Sequence, residues 1–274
     1  MPRVTITTPR GRREVLEGFA LGLAHGPLEL LPVSSSAHVE ALPALLGFQV
    51  AQWSGAERKE LEVALHAGTA AGLLLLLGRQ RERWLCGWQG HRGMMAAALV
   101  PPAVGGLAFE RRIEEHVRGA RSLAAGLTIG AVALVAADFK PPQRSGAGAT
   151  WQDGAWLGIA QACALVPGIS RNGATLAAAR ARRFDRAAAS RLSWEVGLPV
   201  LLGASGLKAV RLLSSGDWRE RGGVLSGAAG GAFGSTVLGV QALGIERRRP
   251  LWPWALWRLG LAASIVAVRH NRKP

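Results

Sequence analysis

The 274-residue chain is 49% hydrophobic yet carries 33 Lys and Arg against 18 Asp and Glu, a formal charge of +15. A basic balance of this kind usually points to nucleic acid. Here the basic residues fall in clusters ("RGRR", "RQRERW", "ERRIEEHVR", "RARRFDR", "ERRRP") that punctuate uncharged runs, with no basic stripe interleaved with aromatics. That argues against nucleic acid and for a polytopic membrane protein with basic loops.

In chain order, "MPRVTITTPRGRREVLEGFALGLAHG" has a basic start but no small-residue cleavage site, so it reads as a retained first segment and not a signal peptide. Apolar segments are expected at 15–31, 37–48, 61–78, 94–109 and 122–138, then, beyond the linker "DFKPPQRSGAGATWQDG", at 151–166, 173–180, 192–213, 222–245 and 251–268. Several fall short of the ~20 residues a full span prefers, so a soluble Ala- and Gly-rich helical protein is the competing class. Cys86 and Cys163 form neither a metal-ligand pattern nor a disulfide framework.

The two halves resemble each other. "GFALGLAH" (Gly18–His25) matches "GAWLGIAQ" (Gly154–Gln161), Pro32 and Ser35 match Pro167 and Ser170, and "EVALHAGTAAGL" from Glu62 matches "EVGLPVLLGASGL" from Glu195. Each half reads as a short apolar pair around a proline-led polar turn, followed by three longer segments. The short pairs suit re-entrant helical hairpins, whose turns are tolerated at membrane depth where protein or a wet cavity satisfies them. Three spans per half is odd, so the second half enters inverted. The expected fold is therefore an all-α integral membrane domain over 1–274, with six transmembrane helices, two re-entrant hairpins and inverted repeats at 14–140 and 151–268.

The polar turns carry the chemistry. In "VPGISRNGAT" (Val166–Thr175), Pro167-Gly168 breaks one helix and Ser170-Arg171-Asn172-Gly173 starts the next. A helix N-terminus and an arginine fork both favour phosphate, and an intramembrane charge is costly without a function. Ser170, Asn172 and Thr175 add neutral donors. The first turn offers Ser34, Ser35, Ser36 and His38, with Glu29 just upstream. A histidine can serve as base, acid or nucleophile, and a carboxylate can orient it or hold a divalent cation.

"LELLPVSSSAH" and "PGISRNGAT" resemble the signature segments of the bacterial undecaprenyl-diphosphate phosphatase family, the bacitracin-resistance type. "EVALHAGT", "VPPAVGGLAFE", "SWEVGLPVLLGA" and "PWALWR" support the likeness, which runs from Glu17 to Val268. The resemblance implies a multi-pass inner-membrane enzyme with its cavity open to the outer side. Such an enzyme removes the terminal phosphate of undecaprenyl diphosphate and so recycles the lipid carrier of peptidoglycan and other cell-wall polymers. It places the family's acidic residue on Glu29, its first-signature serine and histidine on Ser35 and His38, and its second-signature residues on Ser170, Arg171 and Thr175.

The expected catalytic set is His38, Glu29, Ser35 and Arg171, and the expected substrate contacts are Ser34, Ser36, Ser170, Asn172, Gly173, Thr175 and His25. Glu29 is the candidate ligand for a divalent cation, Mg²⁺ or Ca²⁺. Expected partners are polyprenyl diphosphate and membrane lipids, with homodimerisation allowed and nucleic acid excluded. The chain departs from the family pattern at His25 (usually Glu or Gln), Ala37 (Gly), His66 (Gln), Asn172 (Ser) and Glu195 (apolar). His25 removes one hard ligand from a carboxylate site, so a catalytically altered relative is one alternative. A polyprenyl-phosphate transporter or flippase is the other.

Overall fold

The computed structural model describes residues 11–79, 91–117, 119–145, 148–239 and 249–270. The first ten residues and 240–245 of the expected ninth segment lie outside these. Among the described residues ten α-helices form and no strand: α1 (Arg12–Leu30), α2 (Ser35–Leu45), α3 (Gly55–Arg79), α4 (Arg92–His116), α5 (Ala120–Asp138), α6 (Trp151–Cys163), α7 (Arg171–Ala181), α8 (Arg186–Ser215), α9 (Gly222–Gly239) and α10 (Trp252–His270). Each expected apolar segment meets one helix. The boundaries differ where charged residues extend the helices beyond the apolar run, as at the Arg186 end of α8.

Four stretches are long and apolar enough to cross a membrane: Gly55–Gly78, Arg92–Phe109, Ala120–Asp138 and Arg186–Ser215. The molecule's exterior is correspondingly apolar, with Leu107 83%, Phe139 83% and Leu238 81% exposed, while Arg258, Thr175 and His25 are fully buried. An apolar surface around a polar interior suits lipid rather than water as the solvent. The chain is thus an all-α integral membrane protein. By contrast, α2 and α7 have 11 residues each, about 16 Å at 1.5 Å per residue, half of a ~30 Å hydrocarbon core.

Close helix contact is made by small residues, as expected where lipid-like surroundings give no hydrophobic drive between helices. α1 packs chiefly on α9, and α6 chiefly on α4. A Cβ added at Gly22 would strike the Ala228 carbonyl and lie 2.8 Å from the Ala232 nitrogen, and one at Gly158 would lie 2.8 Å from the Ala98 carbonyl oxygen. Gly22→Val is therefore expected to force α1 and α9 apart and destabilise the fold by about 1–3 kcal/mol or more, measured as a lower Tm in detergent.

The arginines of "RARRFDR" do not simply face headgroups. Arg180 and Arg186 pair with Asp138 at 3.1 and 2.9 Å, and Arg182 pairs with Asp153 at 2.7 Å. Arg144 from the inter-half linker adds a second pair to Asp153 at 2.8 Å. These contacts tie the linker and the α7–α8 turn to the ends of α5 and α6.

Candidate active site

The first turn begins where Pro32 stops α1. Ser34 follows in a left-handed conformation (φ 71°), rare for a residue with a Cβ and costing on the order of 1–3 kcal/mol. That geometry aims its carbonyl back into α2, where it accepts from His38 N–H at 3.3 Å and lies 2.7 Å from His38 Nδ1. In the second turn Pro167 and Gly168 (φ 88°) release α6, and Ser170 caps α7 by accepting from the Gly173 N–H at 3.2 Å.

Arg258, on α10, locks the two turns together. It is fully buried and donates to four carbonyls: Pro32 of the first turn at 3.1 Å, Gly168 of the second at 3.1 Å, and Leu127 and Gly126 of α5 at 3.2 and 3.4 Å. Asn172 adds a bond across the turns, from its Nδ2 to the Leu30 carbonyl at 3.0 Å. Arg258→Leu would leave these carbonyls without their donor, at about 1–3 kcal/mol for each that finds no substitute. The variant is expected to lose several kcal/mol of stability and most activity, read as a lower Tm together with lost turnover.

The turns close one side of a cavity of about 610 Å³, whose polar lining includes Glu29, Ser34, Ser35, Ser36, Ser170 and Arg171. Glu29 is its hub. Its carboxylate accepts a hydrogen bond from Ser35 Oγ, and its Oε1 lies 3.2 Å from Arg171 Nη2. Ser35 and Glu29 come from the first turn and α1, Arg171 from the other half of the chain. Arg171 also sits over the Trp194 ring, 5.8 Å from its centroid. Gly197 on α8 leaves the space that its guanidinium occupies, since a Cβ there would collide with Nη1.

Not every expected site residue reaches this cavity. His38 does not line it. Its Nε2 accepts from Trp257 Nε1 at 2.8 Å and its Nδ1 meets Ser34 O, so both ring nitrogens are engaged away from Glu29 and Ser35. Glu29 therefore orients Ser35 and Arg171 and not, as expected, His38. Thr175 is buried against Ser193, which donates to Asn172 Oδ1 at 2.8 Å, and the Gly173 N–H is used by the Ser170 cap. His25 is buried behind Glu29, with Nδ1 2.9 Å from Thr69 Oγ1. Glu195 lies off the cavity, 3.7 Å from His91 Nδ1 and from Arg191 Nε.

Among the described residues, His25, Glu29 and His66 bring their ligand atoms within 4.8 Å of one another. Two imidazoles and one carboxylate do not fit the hard, all-oxygen shells of Mg²⁺ or Ca²⁺.

A serine, a carboxylate and an arginine meeting at a cavity between two broken helices give this membrane protein an anion-binding site with a hydroxyl beside a base, the parts that phosphoryl transfer uses. The chain belongs to the family of the bacitracin resistance protein BacA, which it matches over residues 18–264. It is similar to proteins named undecaprenyl-diphosphatase from several bacteria. The one from Geobacter sulfurreducens is 34% identical, over 94% of this chain and 100% of the relative. That from Thioalkalivibrio sulfidiphilus is 30% identical over 92% and 98%, and that from Marinobacter nauticus 29% over 93% and 99%.

Proposed function

We propose that this protein is an inner-membrane phosphatase that hydrolyses undecaprenyl diphosphate to undecaprenyl phosphate and inorganic phosphate, recycling the cell-wall lipid carrier. The observation that carries the mechanism is the meeting of Ser35, Glu29 and Arg171 on one cavity wall. Glu29 is placed to take the proton of Ser35 Oγ as that oxygen attacks the terminal phosphorus. An Oγ–P bond forms, the anhydride P–O bond breaks, and undecaprenyl phosphate leaves. Glu29 passes that proton to the departing phosphate and then takes one from the water that attacks the phosphoserine; the Oγ–P bond breaks, Ser35 Oγ recovers the proton from Glu29, and inorganic phosphate is released.

Arg171 has five N–H donors, and those not spent on Glu29 serve the phosphoryl oxygens, where charge accumulates in the transition state. Ser34, Ser36 and Ser170 line the same wall and offer neutral hydroxyls to the diphosphate. His38 acts through position: anchored by Ser34 and Trp257, it holds the first turn in shape. The prenyl chain lies against the apolar surface that faces lipid.

We read the architecture as six spans and two re-entrant hairpins, α1–α2 and α6–α7, related by inverted repeats. Supporting this, matched elements exchange contacts: α1 on α9 corresponds to α6 on α4, and α5 packs on its own counterpart α10. Such pairing is expected when a two-fold axis brings equivalent hairpins face to face. The rival function, a lipid-phosphate transporter, needs the same anion site. Wild-type protein in proteoliposomes loaded with undecaprenyl diphosphate separates the two. Inorganic phosphate should appear, and lipid-phosphate movement across the bilayer without phosphate release would favour the transporter.

A further inference from the structure

Two of this chain's departures from its family's pattern, His25 and His66, meet in space at Glu29, the cavity carboxylate that also holds Ser35 and Arg171. His25 and Glu29 stand four residues apart on α1 and so share a helix face, and His66 reaches them from α3. The two imidazole rings meet edge to face, 4.7 Å between centroids and 89° between planes. His66 Nδ1 lies 3.8 Å from Glu29 Oε2, too far for a hydrogen bond. His25 Nε2 and His66 Nδ1 are both buried and lack a hydrogen-bond partner. Two orphaned imidazole nitrogens beside a carboxylate are what a metal site without its ion presents.

We propose that His25, Glu29 and His66 bind one borderline divalent transition ion, of which Zn²⁺ is the best match, in place of the hard cation that oxygen ligands would select. Two imidazoles with one glutamate form a recognised three-ligand set for zinc that leaves a fourth position open. Tetrahedral bonds of 2.0–2.2 Å set ligand atoms about 3.3–3.5 Å apart, so small inward rotations of the side chains close the observed spacing. The outer contacts fit as well. With Nδ1–H of His25 donating to Thr69 Oγ1, Nε2 keeps its lone pair for the metal. His66 Nε2 faces the Glu62 carboxylate at 3.8 Å, on the side away from Glu29. The Glu29 carboxylate has two oxygens and about four acceptor sites, enough to serve Ser35, Arg171 and an ion together.

The proposal rests on the phosphatase reading only for the ion's effect on turnover, and binding is tested apart from activity. Full-length protein without a histidine tag is purified in detergent, stripped with chelator and titrated with Zn²⁺ or with Co²⁺ as a spectroscopic probe. One equivalent is expected to bind, with Co²⁺ giving the intense visible bands of a four-coordinate site, and excess Mg²⁺ should not displace it. His66→Ala and, separately, His25→Glu should each weaken binding at least about 100-fold, beyond the 10–100-fold typical of losing an outer-shell partner. Should the variants not fold, Cu²⁺ paramagnetic resonance on wild type decides, because two imidazole nitrogens leave their own hyperfine pattern. Absence of a stoichiometric Co²⁺ spectrum, or of nitrogen coupling, overturns the metal site and leaves the phosphatase reading intact. A bound ion in a protein that releases no phosphate would do the reverse.

Discussion

Replacing Arg171 with alanine is expected to lower kcat/KM for undecaprenyl diphosphate about a thousand- to a hundred-thousand-fold, the range over which an arginine acts on phosphoryl transfer. Two effects combine. The transferred phosphoryl group loses the guanidinium that reaches it from the second turn, and Glu29 loses the partner 3.2 Å away that offsets its charge. Arg171→Lys should restore only part of the activity, because a lysine keeps the charge but not the fork. The variant should remain folded, since the Arg258 and Asn172 bonds that join the turns do not pass through the Arg171 side chain. A monodisperse, helical Arg171→Ala protein with undiminished turnover would remove Arg171 from the mechanism.

Ser35→Ala is the second large effect, expected to cost about ten-thousand-fold or more in kcat, as loss of an attacking hydroxyl does elsewhere. The readout that separates a nucleophile from a positioning group is a single-turnover experiment in the wild type. Acid quench with terminally labelled substrate should trap label on a peptide containing Ser35. If Ser35 only orients water, the label stays off the protein and Ser35→Ala loses a smaller factor. His38→Gln distinguishes the same account from one in which histidine attacks. It should depress activity through a looser first turn and lower Tm, and it should leave trapped label on Ser35 unchanged in position.

Much of the site was legible in the sequence because prolines interrupt apolar runs twice, in matching contexts. Such an interruption places polar residues where a membrane helix would otherwise continue. Ser35 and Arg171 could be paired across the chain from that pattern. The direction of His38 could not. It depends on the left-handed backbone of Ser34 and on Trp257, a residue more than two hundred positions away. Arg258 was hidden for a related reason. In "PWALWR" it reads as one more basic residue beside an apolar run, and only the four carbonyls converging from three segments distant in sequence explain its burial.

The triad of His25, Glu29 and His66 shows where sequence periodicity stops. The i, i+4 relation of His25 and Glu29 is visible on one helix, but the third ligand comes from another helix whose phase is set by packing. α3 reaches that position by pressing Gly68 against Ala229 of α9, a contact of small residues that carries no local signal. The basic clusters mislead in the opposite sense. Arg180, Arg182 and Arg186 look like a headgroup-facing run, yet each is paired with Asp138 or Asp153.

Phosphate release in detergent from undecaprenyl diphosphate, run side by side on wild type, Arg171→Ala and Ser35→Ala, tests the central claim most directly, since no bilayer is present for transport to act across. Wild type should release one inorganic phosphate per lipid, with both folded variants near background. A wild type that binds the lipid and releases no phosphate, or folded variants that match the wild-type rate, would contradict a phosphatase site built from these residues.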